Sequence, residues 1–416
     1  GARRAFEIWS HSTIEERVAL FRRIVAQFEA RAEDLAEAVT MDMGMPIAGS
    51  RIAVGAAMLQ FSSLAETMPT YAFREREGDY VIQKDPVGVA ALIPPWNYPA
   101  LQMAEKVAPA LAAGCTVILK PAEITSHAGA VFAEIMDAAG TPQGVFNLLV
   151  GKGSTIGAAL STHPGVDMIA FTGSTDVGIQ VQKDAADTVK RVSQELGGKS
   201  APIILPDADL DVAVTTAVQG VMNNSGQTCA APTRTLVPAA LRAEFLSRVV
   251  VAVDALTVGD PTTDVNLGSV ANETQWHTVQ HYIQIGLDEG AALIAGGLGK
   301  PEGAAEDGWF ARPTVFADVT NDMRIAREEI FGPVMSVITY DTVDDAIRIA
   351  NDNDYGLAGY VTGTDIIEAD RVASLIRAGQ VVVNSPLPNL FAPFGGYKRS
   401  GNGRIWGTAG LEEYLE

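Results

Sequence analysis

The N-terminal part of the chain has apolar residues at helical spacing. Ser12 and Glu15 are spaced as in a capping box, which predicts the start of a helix there. Apolar side chains then recur every three or four residues from Val18 to Phe28, a pattern typical of an amphipathic helix. A second helical pattern covers about residues 51–66. We interpret both as packing helices without chemistry of their own.

From Cys115 onwards, short apolar runs alternate with amphipathic stretches. The apolar runs predict strands at 115–119, 145–150, 167–171 and about 190–195. The stretches between them predict helices near 126–139, 154–161 and 175–185. This alternation is typical of βαβ units in a parallel sheet, which binds ligands at the carboxyl ends of its strands. After Ser200 a second α/β unit is predicted, which begins with a strand at 201–205 and a helix at 209–221.

Length, charge and hydropathy narrow the class of protein. A chain of 416 residues exceeds one ordinary domain, so we expect two large domains. The formal charge of −20 and the pI near 4.6 disfavour binding to nucleic acids or anionic membranes, which requires a basic surface. No apolar run approaches the ~18–20 residues of a membrane span, and the charged, amphipathic start differs from a signal peptide. We therefore expect a cytoplasmic protein.

The two cysteines of the chain differ in character. Cys115 lies in an apolar run and is expected to pack in the core. Cys229 ends the segment N-S-G-Q-T-C, whose small and turn-forming residues predict an accessible thiol. Such a thiol attacks a carbonyl at neutral pH only with a lowered pKa or a nearby base, and a lone cysteine is more often a small buried hydrophobe. A disulfide between the two stays open, with a reduced state as the simpler interpretation.

Glu195 opens a second informative segment, E-L-G-G-K, upstream of Cys229. The Gly-Gly step allows close approach of backbone or ligand, and a carboxylate of tuned pKa can act as a general base, although a lone glutamate is usually solvated. Together, E-L-G-G-K and G-Q-T-C resemble the active-site region of the NAD(P)-dependent aldehyde dehydrogenase superfamily, of the hydrolytic, non-acylating type. Further matches extend the resemblance over nearly the whole chain.

The resemblance implies NAD-dependent oxidation of an aldehyde to a carboxylic acid. Cys229 would form a thiohemiacetal and then a thioester, and Glu195 would activate the water that hydrolyses the thioester. Asn97, in P-W-N-Y-P, would donate to the oxyanion together with the Cys229 amide, although the commoner role of an asparagine there is to cap the next helix. Lys106 matches a lysine close to the glutamate, and an ordinary surface lysine also fits the pattern.

The resemblance also assigns cofactor-binding residues: Ile93, Pro95, Trp96, Lys120, Glu123, Gly153, Thr172, Gly173, Ser174, Leu196, Glu329 and Phe331. Lys120 and Glu123 would hold the adenosine ribose, and a carboxylate there favours NAD because it accepts both hydroxyls and repels a 2′-phosphate. Glu329 and Phe331 would contact the nicotinamide ribose and ring. The glycines of the G-K-G loop do not fit the G-x-G-x-x-G fingerprint, so the resemblance alone identifies this loop.

The predicted substrate-binding residues are Tyr98, Gln102, Glu105 and Thr228. Glu105 is unusual for an apolar funnel and suggests an aldehyde with polar or cationic character. In the alternative interpretation, Glu105 turns away from the funnel and pairs with a nearby cationic side chain. His277 and His281 have the spacing of a metal pair, but no acidic third ligand follows at diagnostic spacing, so we predict a solvent-facing stripe and no metal.

The implied fold is α/β, with a Rossmann-like parallel-sheet cofactor domain, a second α/β catalytic domain and a small β oligomerisation element. The predicted ranges are 1–66 and 90–197 for the NAD-binding domain, 198–400 for the catalytic domain, and 67–89 with 401–416 for the oligomerisation arm and C-terminal segment. The arm includes the β-rich residues 79–85, which by themselves predict an edge strand or hairpin arm. A homodimer or homotetramer is expected. Family members usually extend further at both ends, so we expect a truncated start and an incomplete last strand.

Two alternative functions stay open at this point. Coenzyme A could resolve the thioester in place of water, although Glu195 would then have no water to activate. The chain could instead be a non-catalytic structural or binding member of the family, since a fold does not guarantee an activity. The combination of thiol, base, oxyanion donor and cofactor carboxylates disfavours this second alternative.

Overall fold

The structure is a computed structural model that describes residues 1–385 and 389–416. Its α-helices are α1 Ala2–Trp9, α2 Ile14–Ala30, α3 Ala32–Met43, α4 Ile47–Thr67, α5 Pro99–Ala113, α6 Ser126–Ala138, α7 Ala158–Thr162, α8 Thr175–Ala185, α9 Leu210–Met222, α10 Arg242–Asp254, α11 Glu273–Asp288, α12 Arg324–Arg327, α13 Val343–Asn351, α14 Ile366–Ser374 and α15 Gly407–Glu412. Its strands are β1 Arg74–Glu77, β2 Tyr80–Gln83, β3 Val89–Ile93, β4 Thr116–Leu119, β5 Phe146–Leu148, β6 Met168–Thr172, β7 Arg191–Glu195, β8 Ala201–Ile204, β9 Arg234–Pro238, β10 Ala292–Ala295, β11 Thr314–Ala317, β12 Val334–Tyr340, β13 Tyr355–Gly356, β14 Ala358–Thr362, β15 Gln380–Val383 and β16 Tyr397–Lys398.

The first large sheet is parallel and has the strand order β5-β4-β3-β6-β7. Its central strand β3 is buried along its whole length, as expected for a parallel strand covered on both faces. The four strands and three helices predicted after Cys115 are all present within a few residues of their predicted ends. Glu195 is the last residue of β7, at the carboxyl edge of this sheet, where parallel sheets bind ligands.

The second large sheet has the order β10-β11-β12-β9-β8-β14-β15, with β10 as an antiparallel edge strand. Apolar residues of α9 and α10 form one core against it, and those of α11, α13 and α14 form another. Strand β8 and helix α9 correspond to the strand and helix predicted after Ser200. Strand β9 begins five positions after Cys229, so the cysteine loop is attached to the middle of this sheet.

The exposed hairpin β1–β2 is the β-rich segment of the sequence. The charged run Arg74–Glu77 is itself one strand, paired antiparallel with Tyr80–Gln83, and all eight residues are exposed.

The C-terminal residues of the chain differ from the expected incomplete strand. Residues 407–412 form helix α15, and Leu415 makes a single antiparallel bridge to Pro86. Trp406 and Gly407 both have positive φ, which turns the chain into this helix in place of a strand.

The structure corrects the predicted start of α2 and shows where His277 and His281 lie. Helix α2 begins one residue later than predicted, because Thr13 and Glu16 form the capping box. The Ser12 hydroxyl instead donates to the Trp9 carbonyl. His277 and His281 lie on α11, and within the described ranges no cluster of metal-ligating side chains is present. No helix in those ranges has the length and apolar character needed to cross a bilayer.

Candidate active site

Asn97 lies on the turn between β3 and α5 and is buried. The helix cap is Tyr98, so the capping role considered for Asn97 is not the one observed. Its side-chain amide donates to the carbonyl of Gln227 at 2.9 Å, and its own carbonyl accepts from the Asn224 amide at 2.8 Å. These bonds tie the turn to the loop that leads to Cys229. An amide nitrogen carries two hydrogens, so Asn97 keeps a second donor.

The loop before Cys229 has a strained backbone. Asn224 and Ser225 both have φ near +50°, and Gly226 follows with φ +74°. A Cβ on Gly226 would lie 2.1 Å from backbone atoms of Gly332, so only glycine fits there. Non-glycine residues in this conformation persist where the surroundings hold them in place, which is frequent at functional sites. Cys229, which ends this loop, is a partly exposed residue.

The Gly-Gly step of E-L-G-G-K is the point where three parts of the site meet. A Cβ on Gly197 would lie 2.3 Å from a carboxylate oxygen of Glu329, and a Cβ on Gly198 would lie 2.3 Å from the carbonyl oxygen of Cys229. The Gly198 amide also donates to Glu329 at 3.0 Å. A side chain at either glycine would collide with its neighbours, because the backbone passes directly against the thiol loop and the Glu329 carboxylate.

Gly198→Ala is expected to lower kcat/KM by roughly 10²-fold, because a displacement of about 1 Å at a reacting group costs that much. The added methyl group collides with a backbone carbonyl, so the Cys229 loop must move. Steady-state kinetics and a thermal melt measure the effect. Gly55→Ala is the matched control, since a Cβ at Gly55, within α4, meets nothing within 4 Å. Equal activity of the two variants would contradict the predicted role of Gly198.

Glu195 is buried, and both of its carboxylate oxygens lack a hydrogen-bond partner among the described residues. Burial raises its pKa well above the ordinary value, and the charge on Glu105 raises it further, whereas Lys106 and Arg404 lower it. A carboxylate with raised pKa and free lone pairs has high affinity for a proton. Glu195 therefore has the properties of a general base.

The thiol of Cys229 is not activated by its protein surroundings. Burial raises its pKa, and the negative charges on Glu329, Glu195 and Glu105 raise it further. Formation of the thiolate therefore requires a group that takes the proton, and Glu195 is close enough for its charge to act on the sulfur. Of the two routes considered from the sequence, this geometry favours the nearby base over a lowered pKa.

Glu105 and Lys106 lie on α5 and are both buried. The carboxylate of Glu105 accepts from the indole N–H of Trp406 at 3.0 Å, and its other oxygen has no partner in the described parts of the chain. Burial raises the pKa of Glu105 and lowers that of Lys106. The hydrogen-bond partner of Glu105 is thus a neutral indole and not the cationic side chain of the alternative interpretation. Lys106 is buried, so it is not an ordinary surface lysine.

The loop after β4 carries Lys120 and Glu123, whose charged groups lie 3.5 Å apart. Lys120 is buried, whereas the Glu123 side chain is half exposed. Burial would raise the pKa of Glu123, but its own amide, Lys120 and the amide of Gly153 outweigh burial and lower it. Glu123 is therefore ionised at neutral pH and can accept hydrogen bonds from ribose hydroxyls.

The loop after β6 joins Thr172, Gly173 and Ser174 to the start of α8. Thr172 pairs with Glu195 across the sheet, and the Gly173 amide donates to the Glu195 carbonyl, so this loop lies beside the base. Ser174 occupies the N-cap position but its side chain makes no capping bond. The first amides of α8 are available to a phosphate group, which a helix N-terminus favours.

Glu329 and Phe331 lie on the loop between α12 and β12, where they contact Gly198 and Trp96. Burial raises the pKa of Glu329 to about 7, and the Gly198 amide and Lys199 oppose the shift. Phe331 has φ +58° and packs edge-on against Trp96 at 5.3 Å between ring centroids. A phenylalanine with positive φ is strained. The strain places the ring between the two parts of the molecule, where a flat cofactor ring can pack beside it.

The predicted substrate residues Tyr98 and Thr228 are in contact, with their hydroxyl oxygens 2.8 Å apart. Burial raises the pKa of Tyr98 to about 12. Gln102 follows Tyr98 by one helical turn and is buried. The side chain directly before Cys229 therefore bonds to helix α5, which places this helix beside the thiol.

Several residues of the site were not predicted from sequence. Gln227 accepts from Asn97, and its side chain bonds to Asn224 and to the amide of Ala271, so it holds the cysteine loop. Arg404 and Trp406 contact the region of Glu195 and Glu105 from the C-terminal segment. The position of Gln227 in N-S-G-Q-T-C could have identified it. Arg404 and Trp406 are distant in sequence and carry no local signal.

Comparisons with known proteins agree with this geometry. The chain matches the profile of the Aldehyde dehydrogenase family over residues 1–416. It is 47% identical over 418 residues to 3-succinoylsemialdehyde-pyridine dehydrogenase of a Pseudomonas species, covering 100% of this chain and 87% of that protein. It is 49% identical, with a TM-score of 0.98, to a mutant of aldehyde dehydrogenase C from Pseudomonas syringae in which cysteine is replaced by alanine, crystallised with NAD+ and octanal; 100% of this chain and 86% of that one are covered.

A further similar structure is betaine aldehyde dehydrogenase from Staphylococcus aureus in complex with NAD+, at 38% identity and a TM-score of 0.97, covering 100% of this chain and 84% of that chain. The predicted family resemblance and the α/β fold class with parallel sheets are thereby confirmed. The chain belongs to the aldehyde dehydrogenase family, whose members are oxidoreductases that act on aldehydes.

Proposed function

We propose that this protein oxidises an aldehyde to a carboxylic acid through a covalent intermediate on Cys229. Glu195 takes the proton of the thiol, and the sulfur adds to the carbonyl carbon to give a thiohemiacetal. NAD, when bound, supplies the acceptor for the hydride that leaves this carbon. Glu195 releases the thiol proton to solvent and then takes a proton from water, whose oxygen attacks the resulting thioester; the carbon–sulfur bond breaks, the thiolate leaves and the acid is released. The observation that carries the proposal is the junction of Gly197 and Gly198 with Cys229 and Glu329, directly after Glu195.

Several charged and polar groups of this chain suit the parts of NAD that they would bind. Ionised Glu123 and buried Lys120 would hold the adenosine ribose, and the amides at the start of α8 would hold the pyrophosphate. Glu329 would bind the nicotinamide ribose, with Trp96 and Phe331 beside the nicotinamide ring. The remaining predicted cofactor contacts, which include Ile93, Pro95 and Leu196, are part of the same proposal. Two similar proteins crystallised with NAD+ support it.

The test is spectrophotometric detection of NADH with octanal as substrate and no coenzyme A. We expect steady turnover with NAD and a lower kcat/KM with NADP, because the negative charge of Glu123 repels a 2′-phosphate. Turnover only in the presence of coenzyme A would support the acylating alternative instead. Absence of both NAD binding and thiol-dependent activity would support a non-catalytic role.

Asn97→Asp is expected to reduce kcat by about 10²–10³-fold, the usual cost of one oxyanion donor. The substitution keeps the size of the side chain but replaces a donor with a negative charge, which repels the developing oxyanion. The carboxylate would also face the Gln227 carbonyl, to which Asn97 now donates. Stopped-flow measurement of NADH formation, with NAD affinity measured separately, tests the role. An unchanged kcat would show that another group stabilises the oxyanion.

The substrate contacts, assembly and location of the protein belong to the same proposal. Tyr98, Gln102 and Thr228 would contact the aldehyde, and octanal bound to a similar protein makes an aliphatic aldehyde a suitable probe.

Subunits would join through the exposed hairpin β1–β2 to give a homodimer or homotetramer. The unpaired edges of this hairpin and its apolar side chains at 80–82 suit strand addition. The domain ranges given above and a cytoplasmic location complete the proposal. Size-exclusion chromatography with light scattering tests the assembly.

A further inference from the structure

Strand β7, which ends at Glu195, is an edge strand of the first sheet. Residues 400–403 lie along its outer edge. The Gln194 amide donates to the side-chain oxygen of Asn402 at 3.0 Å, and the Gln194 carbonyl accepts from the amides of Asn402 and Gly403 at 3.1 and 3.0 Å. Asn402 therefore binds both backbone polar groups of the residue that precedes the base.

The residue that follows the base is held by the same segment. The Leu196 amide donates to the Ser400 carbonyl at 2.9 Å, and Glu195 itself forms an antiparallel bridge with Gly401. From the opposite edge of the strand, the Gly173 amide donates to the Glu195 carbonyl at 3.1 Å. The backbone of the base is thus bound on both sides.

Two glycines allow the segment to approach β7 closely. A Cβ on Gly401, whose φ is +115°, would lie 2.1 Å from the carbonyl oxygen of Gln194, and a Cβ on Gly403 would lie 2.4 Å from Oγ of Ser193. Asn402, between these glycines, contributes its side-chain oxygen as the acceptor that a main-chain carbonyl provides in a regular antiparallel ladder. A specific side chain therefore completes the pairing next to the base.

The position of the base depends on this backbone. The carboxylate of Glu195 has no hydrogen-bond partner among the described residues, so side-chain bonds within them do not hold it. A general base must lie within hydrogen-bond reach of the water whose proton it takes. We propose that Asn402 is a positioning residue for the base, because its side-chain oxygen fixes the Gln194 amide and with it the backbone from which the Glu195 carboxylate extends. This inference rests on the proposed role of Glu195.

The location of Asn402 makes the proposal testable without disruption of the core. Asn402 is an exposed residue, so a smaller side chain there leaves no internal cavity. Surface substitutions usually change stability little. A role in positioning the base therefore predicts a kinetic effect that is large in comparison with the change in melting temperature.

Asn402→Ala removes the side-chain acceptor and keeps the main-chain bonds of the segment. With NAD and octanal, we expect kcat to fall roughly tenfold, because a displacement of the base by about 1 Å costs up to 10²-fold and the remaining bonds limit the movement. Hydrolysis of the thioester should be slowed most, so a burst of about one NADH per subunit should precede the steady rate. NAD affinity, measured by fluorescence titration, should be unchanged.

Hydrogen exchange tests the anchor without any turnover. The Gln194 amide loses its acceptor in Asn402→Ala, so exchange in a peptide that covers β7 should become faster. Asn402→Asp keeps an oxygen at the same position and should restore both the slow exchange and kcat to within about twofold of wild type. Rescue by the conservative variant separates the acceptor oxygen from the mere presence of a side chain.

Asn351→Ala is the matched control. The side chain of Asn351 also binds the backbone of a distant segment, since it accepts from the Arg377 amide at 2.7 Å and donates to the Leu375 carbonyl at 2.9 Å. This variant should keep the wild-type kcat without an NADH burst larger than that of the wild type.

Three results would overturn the role of Asn402. They are a kcat of Asn402→Ala within twofold of wild type, an equal loss in Asn402→Ala and Asn402→Asp, and a joint loss of kcat, NAD affinity and melting temperature. A wild-type protein that forms no NADH would instead contradict the proposed function. Exchange of the Gln194 amide would in that case still test the anchor.

Discussion

Cys229→Ala is expected to abolish aldehyde oxidation, with kcat reduced by about 10⁵-fold or more, as for other enzymes that lose a nucleophile. Cys229 is the partly exposed cysteine of the chain, whereas Cys115 is buried in the first core. NAD binding should persist, because the loops proposed to bind the cofactor follow β4 and β6 and do not include Cys229. NADH formation over long incubations and fluorescence titration with NAD measure the two properties.

Cys115→Ala is the matched control for this variant. Cys115 is fully buried in the first core, and its thiol donates to the Tyr414 carbonyl at 3.6 Å. Burial raises its pKa to about 12, so it has no thiolate at neutral pH. We expect a modest loss of stability from the small cavity and no loss of kcat. Substantial oxidation by Cys229→Ala would exclude a thioester on this residue.

The sequence was sufficient to predict the parts of the site that lie on single loops. Strand ends in a parallel sheet converge at one edge, so Glu195 and the loops that carry Glu123 and Ser174 could be placed together from periodicity alone. The two glycines after Glu195 were recognised as a close approach, and the structure identifies what approaches: the Cys229 carbonyl and the Glu329 carboxylate. Which atoms pack against a glycine depends on the tertiary fold, so no local sequence pattern predicts them.

Predictions failed or stayed open where distant segments decide the local structure. Residues 401–416 were expected to end in an incomplete strand, and the helix at 407–412 was not predicted. The turn into this helix depends on the positive φ of Trp406. Glu105 was predicted either to line the funnel or to turn away and pair with a cationic side chain, whereas its observed bond is to the neutral indole of Trp406, 301 positions away. The start of α2 shifted by one residue because Ser12 found a bond to Trp9. Such competing local bonds are not visible in the spacing of residues.

The direction of the pKa shift of the Cys229 thiol could also not be predicted from the sequence. Small flanking residues predicted accessibility, and the alternatives were a lowered pKa or a base. The fold surrounds Cys229 with the carboxylates of Glu329, Glu195 and Glu105, which raise its pKa. Activation must then depend on transfer of the proton to Glu195, so the same carboxylate serves both halves of the reaction. This double role makes Glu195 the second most informative residue to replace.

Glu195→Gln is expected to leave one early turnover and to block those that follow. Glutamine keeps the size of the side chain but cannot take a proton from water, so the thioester on Cys229 accumulates. We expect a burst of about one NADH per subunit followed by a steady rate lower by about 10²–10⁴-fold, the usual contribution of a general base. The burst itself should be slower than in the wild type, because the thiol also loses its base. Stopped-flow absorbance and the intact mass of the acylated protein measure these effects.

The pH dependence provides a separate check on the same variant. Burial raises the pKa of Glu195 above its ordinary value of 4.5, and the base works only when ionised, so wild-type kcat should fall on acidification through this raised pKa. The limb should be absent in Glu195→Gln, which has no carboxyl group to titrate. Glu244→Gln, on the exposed face of α10 beside Arg248, is the control and should keep both the limb and the rate. A variant that hydrolyses its thioester at the wild-type rate would assign the activation of water to another group.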